Sequence, residues 1–282
     1  RHMCRQLSQD NLSYIPSHCK VFCAISLIFQ GFSAHVQDAG ELFALGQQCE
    51  VVVRDDPQGE DKRNVHDDRQ HDRKADIHFI NSENLTDDNI EEHLKDMDGV
   101  IICPGFGQRG IEGKFVAIKY CRTHNVPTFG ICLGMQCIVI EFARNVLGYA
   151  DANSREMDEK TPHNVIDIME EQKSITNMGG TMRLGAYECI LQKGSKAYEA
   201  YGTEHIQERH RHRYEFNNSF KEAYEAAGMK CVGINPESDL VEIVEIPALK
   251  WFVGTQFHPE YSSTVLKPHP LFLSFIKAAI SK

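Results

Sequence analysis

The feature that most constrains this chain is a series of short apolar segments that alternate with helical segments from residue 77 onward. Two of them, residues 99–103 and 126–131, are apolar along almost their whole length rather than at every second position. Strands of that kind are typical of a parallel sheet that is covered on both faces. We therefore predict an α/β fold with an open, mostly parallel sheet and helices on both faces.

The other elements are predicted from local signals. Thr86 is a suitable N-cap for a helix that runs to about residue 95, because two aspartates follow it in the first turn. Further strands are predicted at 77–80, 232–246 and 250–256, and further helices at 112–123, 133–147 and 270–280. Residues 150–230 are less regular, and we expect a β-rich excursion there.

The N-terminal quarter differs from the rest of the chain in composition. Fourteen of the 23 residues at 54–76 are charged, and such a stretch buries too little apolar surface to offset its ordering entropy. We expect a disordered linker or exposed loop there. The predicted organisation is a partly disordered segment, residues 1–71, followed by one folded domain, residues 72–282.

Composition argues against several classes of protein. A formal net charge of −10, from 30 basic and 40 acidic residues, argues against a nucleic-acid-binding surface. The sequence contains no run of eighteen apolar residues, so no membrane span is predicted. The apolar run at 21–29 could pass for the core of a signal peptide, but it is not followed by a clear cleavage site. Most of the cysteines after residue 100 lie in apolar surroundings, as buried thiols of a cytoplasmic protein do. Cys19 and Cys23 have a spacing loosely like that of a zinc-ligand pair, but no second pair follows at the distance typical of a zinc finger. We therefore expect no metal site.

One cysteine, Cys132, stands between two glycines in the pattern Gly130-x-Cys-x-Gly134. Between a strand and a helix this pattern is typical of a nucleophile on a sharp turn, where small flanking residues let the chain pass. The start of the helix favours a thiolate, and the backbone N–H of Leu133 would face an oxyanion. A buried structural cysteine is the alternative.

A cysteine nucleophile needs a base, and His258 follows the predicted strand at 250–256. Pro259 fixes the local chain, and Glu260 is near enough to orient the imidazole. We predict a Cys132–His258–Glu260 triad. The glycine-rich loop at 104–110 follows another strand, and the N–H of Gly105 is the candidate second oxyanion donor. A phosphate-binding loop is disfavoured there, since the P-loop lysine is missing.

These motifs resemble the class I glutamine amidotransferases, and more narrowly the glutaminase domain of the CTP synthases. The matching segments are 104–110 (PGFGQRG), 130–136 (GICLGMQ), 141–148 (EFARNVLG), 151–154 (DANS), 180–185 (GTMRLG), 208–215 (ERHRHRYE) and 257–260 (FHPE). The resemblance covers about residue 72 to the C-terminus. The family's opening strand has no counterpart before it, so we expect that strand to be missing or replaced by residues 20–29 or 49–54.

The resemblance implies that Cys132 attacks the side-chain amide of L-glutamine and forms a γ-glutamyl thioester. It also implies that Gln136 and Glu156 contact polar atoms of the substrate, and that Arg213 and Tyr214 hold its α-carboxylate end. No cofactor is implied for hydrolysis. GTP is implied as an allosteric activator, with Arg183 as a candidate contact.

The implied acceptor of the ammonia is UTP, aminated to CTP by a synthase (amidoligase) domain that this sequence lacks. ATP, UTP and Mg²⁺ would belong to that domain, which would be the partner, and we expect oligomers only through it. Two alternatives stay open. One is a γ-glutamyl peptidase on the same scaffold, and the other is a non-catalytic remnant whose N-terminus prevents turnover.

Overall fold

The computed structural model describes residues 49–56, 74–168, 182–264 and 267–281 of the chain. The strands are β1 (Cys49–Asp56), β2 (Lys74–Asn81), β3 (Gly99–Ile102), β4 (Thr128–Ile131), β5 (Asn153–Ser154), β6 (Asn164–Ile168), β7 (Arg183–Leu191), β8 (His205–His212), β9 (Tyr214–Phe216), β10 (Lys230–Ile234), β11 (Val241–Glu245) and β12 (Phe252–Thr255). The α-helices are α1 (Ile90–Leu94), α2 (Ile111–His124), α3 (Leu133–Phe142), α4 (Lys196–Tyr201), α5 (Lys221–Ala226) and α6 (Pro270–Ile280).

Nine strands form the main sheet, in the order β2-β1-β3-β4-β12-β11-β10-β7-β8. Its centre is parallel, since β4 pairs in parallel with both β3 and β12. All three of these strands are buried on both faces. Outside this centre, neighbouring strands are antiparallel, and the edge strand β8 alternates exposed and buried residues as a half-exposed strand does.

Helices cover both faces of the parallel centre, so the α/β fold predicted from the sequence is confirmed. Alternate residues of β3 enter two separate cores, Val100 and Ile102 on the side of α2 and α3, and Ile101 on the side of α6. On the α6 side, Phe129 meets Phe272 edge to face with ring centroids 5.5 Å apart.

The strand β1 lies between β2 and β3, with Val51 opposite Ile101. It runs antiparallel to both neighbours. Of the two segments expected to replace the missing opening strand, residues 49–54 therefore lie beside the parallel centre, and residues 20–29 are outside the described residues. The charged stretch predicted as a loop is strand at both of its ends, up to Asp56 and from Lys74, and residues 57–73 are outside the described residues.

Two boundaries differ from the sequence prediction for local reasons. Thr86 is not the N-cap of α1, because Asn89 closes a preceding turn by accepting the Thr86 backbone N–H at 2.9 Å. The predicted strand 232–246 is two strands, since the Asn235 side chain accepts backbone N–H groups of Glu237 and Ser238 and makes a turn between them.

The helix predicted at 133–147 is α-helical to Phe142 and then forms one π-helical turn, Ala143–Leu147, which ends at Gly148 in the left-handed region. The excursion at 150–230 holds a separate small sheet of β5, β6 and β9 as well as the β7–β8 hairpin. In the part of the chain with described structure, we find no helix of the length and apolarity that crossing a bilayer requires.

Candidate active site

Cys132 is the residue between β4 and α3, and its backbone is in an unusual conformation. Its φ of 53° and ψ of −105° are rare for a residue with a side chain. A Cβ placed on Gly130 would lie 2.6 Å from Ile138 Cδ1, and one on Gly134 would lie 2.1 Å from the backbone oxygen of Ile102. Both glycines are therefore required by close packing around the turn, as the sequence pattern predicts.

The turn places the Cys132 sulfur at the carboxyl edge of the parallel centre and at the start of α3. The Cys132 N–H donates to the Thr255 oxygen on β12 at 2.7 Å, which fixes the turn to the neighbouring strand. Leu133 is the first residue of α3, and first-turn N–H groups have no partner within their own helix. Such groups suit a developing negative charge beside the sulfur.

His258 and Glu260 are paired beside this turn. His258 Nδ1 lies 2.6 Å from Glu260 Oε1, and both side chains are buried. The 3₁₀ turn Pro259–Ser262 brings the carboxylate back to the ring, and the His258 N–H donates to the Arg209 oxygen of β8 at 2.9 Å. This pairing occupies Nδ1, and Nε2 makes no hydrogen bond within the described residues.

The pKa of His258 is set by opposing effects. Burial on its own lowers it, but the Glu260 carboxylate and the nearby Cys132 side chain, by charge and by hydrogen bonding, raise the pKa of His258 well above its ordinary value. An imidazolium is therefore favoured between the sulfur and the carboxylate. The three residues that the sequence predicts as a triad are together in the fold.

The glycine-rich loop after β3 approaches the same edge. Gly107 and Gly110 have left-handed backbones, with φ of 76° and 72°, whereas Gly105 does not. The Gly107 N–H donates to Glu156 Oε1 at 3.2 Å, which ties the loop to the segment around β5. The role of Gly105 as a second oxyanion donor remains a prediction.

The predicted substrate contacts also lie together. Gln136, on the first turns of α3, donates from Nε2 to the Tyr214 oxygen at 3.0 Å. Burial raises the pKa of Glu156, and the Gly107 N–H and the Arg213 charge oppose that rise. Glu156 and Arg213 likewise both act on the pKa of Tyr214, which burial raises. Four residues therefore lie close together beside the Cys132 turn: Gln136, Glu156, Arg213 and Tyr214. We call this group of residues the mouth of the turn.

Arg213 has a buried Nε that makes no hydrogen bond within the described residues. An orphaned guanidinium N–H is costly unless a ligand or water pairs with it. Its planar fork matches a carboxylate. This is the feature of the mouth that best fits the α-carboxylate of an amino acid.

A family model described as "Glutamine amidotransferase class-I" matches residues 61–278. The chain belongs to this family. The match begins at residue 61, whereas the resemblance inferred from the sequence begins at about residue 72.

Three relatives narrow the comparison. The chain is 85% identical over 209 residues to a CTP synthase of Bacteroides thetaiotaomicron, and 61% identical over 208 residues to one of Porphyromonas gingivalis. These alignments cover 74% of this chain and 39% of each relative, so the chain spans about two fifths of their length. A solved structure described as the glutaminase domain of Trypanosoma brucei CTPS with bound acivicin is 40% identical, with a TM-score of 0.68 over 72% of this chain and 80% of that chain. The resemblance to CTP synthases in the glutaminase part is confirmed.

Sequence reasoning missed a buried polar cluster behind the site of this amidotransferase. Its members are Arg183, His210, His212, Glu215 and Glu242. Burial raises the pKa of Glu242 to about 7, although Arg183 beside it favours the carboxylate. The alternation of histidines and arginines on β8 is the signal that could have found it, since it puts His210 and His212 on the inner face.

Arg183 was the candidate contact for GTP, and its position argues against that role. Its guanidinium is buried, donates to Glu242 Oε1 at 2.7 Å and stacks 4.2 Å from the centre of the Tyr187 ring. A guanidinium held in this way is not presented to a nucleotide at the surface.

The cysteines after residue 100 are Cys103, Cys121, Cys132, Cys137, Cys189 and Cys231, and all are buried as predicted. Burial raises the pKa of Cys189 well above its ordinary value and that of Cys231 to about 12. Thiols of that kind are poor nucleophiles. Within the described part of the chain, no group of three or more His, Cys, Asp or Glu side chains is arranged to hold a metal ion.

Proposed function

We propose that this chain hydrolyses L-glutamine to glutamate and ammonia, with Cys132 as nucleophile, His258 as base and Glu260 as the residue that orients the base. The observation that carries the proposal is the Cys132 turn at the head of α3 with the paired His258 and Glu260 beside it. Membership of the class-I amidotransferases and the identity to CTP synthases support the choice of glutamine.

The reaction begins with attack of the Cys132 thiolate on the side-chain amide carbon of glutamine. A carbon–sulfur bond forms, and the carbonyl oxygen becomes an oxyanion that accepts hydrogen bonds from the N–H groups of Leu133 and Gly105. The His258 imidazolium gives its proton to the amide nitrogen, the carbon–nitrogen bond breaks, and ammonia leaves. The product on the protein is a γ-glutamyl thioester.

Water completes the cycle. His258, now neutral, takes a proton from the water as it attacks the thioester carbon. The carbon–sulfur bond of the resulting tetrahedral intermediate breaks, glutamate leaves, and the thiolate and imidazolium are restored. Glu260 stays ionised throughout and stabilises the imidazolium.

Recognition of glutamine is assigned to the residues at the mouth of the turn. Arg213 pairs with the α-carboxylate, and Tyr214 forms the wall beside it. Gln136 and Glu156 accept hydrogen bonds from the α-ammonium group. No cofactor takes part in hydrolysis.

The ammonia serves the amination of UTP to CTP by an amidoligase domain, which is the proposed partner. The support is that the CTP synthase relatives are more than twice as long as the matched region. ATP, UTP and Mg²⁺ belong to that domain, GTP acts as activator, oligomers form through it, and the protein is cytoplasmic.

The test is release of glutamate from glutamine by the purified full chain, alone and with a separate amidoligase domain. We expect turnover that is lost in Cys132→Ala, with the fold kept to within ~1 kcal/mol because the turn is set by its glycines. Turnover in folded Cys132→Ala would refute the assignment of the nucleophile. Parallel assays with γ-glutamyl peptides test the peptidase alternative, which the CTP synthase relatives do not support.

A further inference from the structure

Gln256 is a buried amide beside the nucleophile that the proposed reaction does not use. It follows β12 directly, and its side chain is fully buried. Its backbone N–H donates to the Glu242 oxygen at 2.8 Å, which fixes where the side chain starts. A buried amide must find partners for both ends, so the question is what each end contacts.

A chain of hydrogen bonds fixes the direction of this amide. The Tyr214 backbone oxygen can only accept, so the Gln136 atom 3.0 Å from it is the donor Nε2. The same Nε2 lies 3.2 Å from the Gln256 side chain, whose atom at that contact must then be the acceptor Oε1. The other end of the Gln256 amide is therefore its donor, Nε2.

That donor points at the reacting sulfur. Gln256 Nε2 lies 3.7 Å from Cys132 Sγ, within the range of a hydrogen bond to sulfur. Hydrogen bonds to an ionised group are roughly twice as strong as those between neutral groups. The contact is therefore suited to stabilise negative charge on the sulfur during attack.

The same network reaches the substrate region. The Gln136 side-chain N–H groups donate to the Tyr214 backbone oxygen and to Gln256 Oε1. The remaining polar atom of this amide, Oε1, is therefore the one that can accept a hydrogen bond from a ligand. An oxygen acceptor suits an ammonium group. One hydrogen-bonded chain thus joins the substrate mouth to the sulfur.

We propose that Gln256 is a further residue of the catalytic site, whose amide N–H stabilises the Cys132 thiolate while its oxygen orients Gln136. The inference rests on the proposed function for its meaning in catalysis, but its physical content concerns the reactivity of Cys132 alone. It can therefore be tested without glutamine.

The experiment measures alkylation of Cys132 by iodoacetamide in the purified full chain, followed on the peptide that contains residue 132. For Gln256→Met we expect a rate about 10-fold below wild type at pH 7, because a hydrogen bond to a charged sulfur is lost. The difference should close at high pH, where the sulfur is ionised in both proteins. Gln207→Met, at an exposed glutamine of β8, is the matched control and should react like wild type.

Folding is checked first by circular dichroism and thermal unfolding. Should Gln256→Met fail to fold because it leaves a Gln136 donor unpaired, Gln136→Met/Gln256→Met carries the test, since replacing both partners by apolar groups is close to neutral. An unchanged rate in the folded variant, an equal loss at every pH, or failure of both variants to fold would each overturn the proposal. A wild-type chain with the expected alkylation profile but no glutamate release would refute the proposed function and leave this inference standing.

Discussion

At the scale of single residues, the site depends on one cysteine in a rare conformation and one histidine in an unusual electrostatic setting. The positive φ of Cys132 aims its side chain out of the turn, and Glu260 keeps a positive charge favourable on His258 although the ring is buried. The first feature is made by backbone packing and the second by charge. Substitutions at His258 and Glu260 test the second of these features.

The members of the predicted triad should be unequal. In the proposed reaction His258 transfers protons directly, so His258→Ala should reduce glutamate release to near background. Glu260 acts through the imidazole, and its loss leaves the helix start and the oxyanion donors in place. We expect Glu260→Ala to keep activity that is ~10-fold to ~1000-fold reduced.

The measurement is glutamate release by both purified variants after each is shown to be folded. Complete loss in both would contradict a purely orienting role for Glu260. Full activity in Glu260→Ala would remove that residue from the site.

At the scale of elements, the turn between β4 and α3 is built by contact of backbone with backbone. The α carbon of Gly134 is so close to β3 that a methyl group there meets the Ile102 oxygen. Neither partner is a flexible side chain, so the contact cannot relax by rotation. The start of α3 is held in place by this contact.

Gly134→Ala should therefore destabilise the chain by more than about 2 kcal/mol, because a built Cβ would lie 2.1 Å from that oxygen and α3 must move away from β3. The control is Gly194→Ala, at a glycine with φ of 80° and open space around the added group, which should cost about 1 kcal/mol from backbone strain alone. Urea unfolding measures both. Equal losses would contradict the claim that close packing of Gly134 against β3 costs more than the backbone strain at Gly194.

At the scale of the whole molecule, the site is assembled from segments that are far apart in the chain. Glu208 on β8 is one residue that holds them together. Its carboxylate accepts from Tyr201 Oη at 2.8 Å, from His269 Nε2 at 2.8 Å and from Ser262 Oγ at 3.1 Å. It thereby joins β8 to α4, to the segment before α6 and to the turn that carries Glu260.

Glu208→Ala should destabilise the chain by about 2–4 kcal/mol, because it leaves buried donors without an acceptor. Glu188→Ala is the matched control, since Glu188 is exposed and pairs with an exposed His205, and it should cost less than ~1 kcal/mol. Chemical denaturation of the two variants is the measurement. Similar stability of both would show that Glu208 is not a structural link.

Several elements of the fold and the turn at Cys132 could be predicted from local patterns in the sequence alone. The apolar runs at 99–103 and 126–131 predicted buried central strands because no exposed face tolerates such runs. The helix from Pro270 was predicted with its observed bounds, because proline sets a helix start. The glycines around Cys132 predicted its turn, since only small residues fit there.

Only the tertiary structure decided what depends on contacts between distant segments. Which strand lies beside β3, which neighbours run antiparallel, and where the first helix begins were set by pairing and by side chains such as Asn89. Arg183 sits in a motif that suggested a ligand contact, but packing against Glu242 buried it. The role proposed for Gln256 could not be predicted from the sequence. Its amide has a defined orientation only because Gln136 donates both to Gln256 and to the backbone oxygen of Tyr214, which lies 42 residues before Gln256 in the chain.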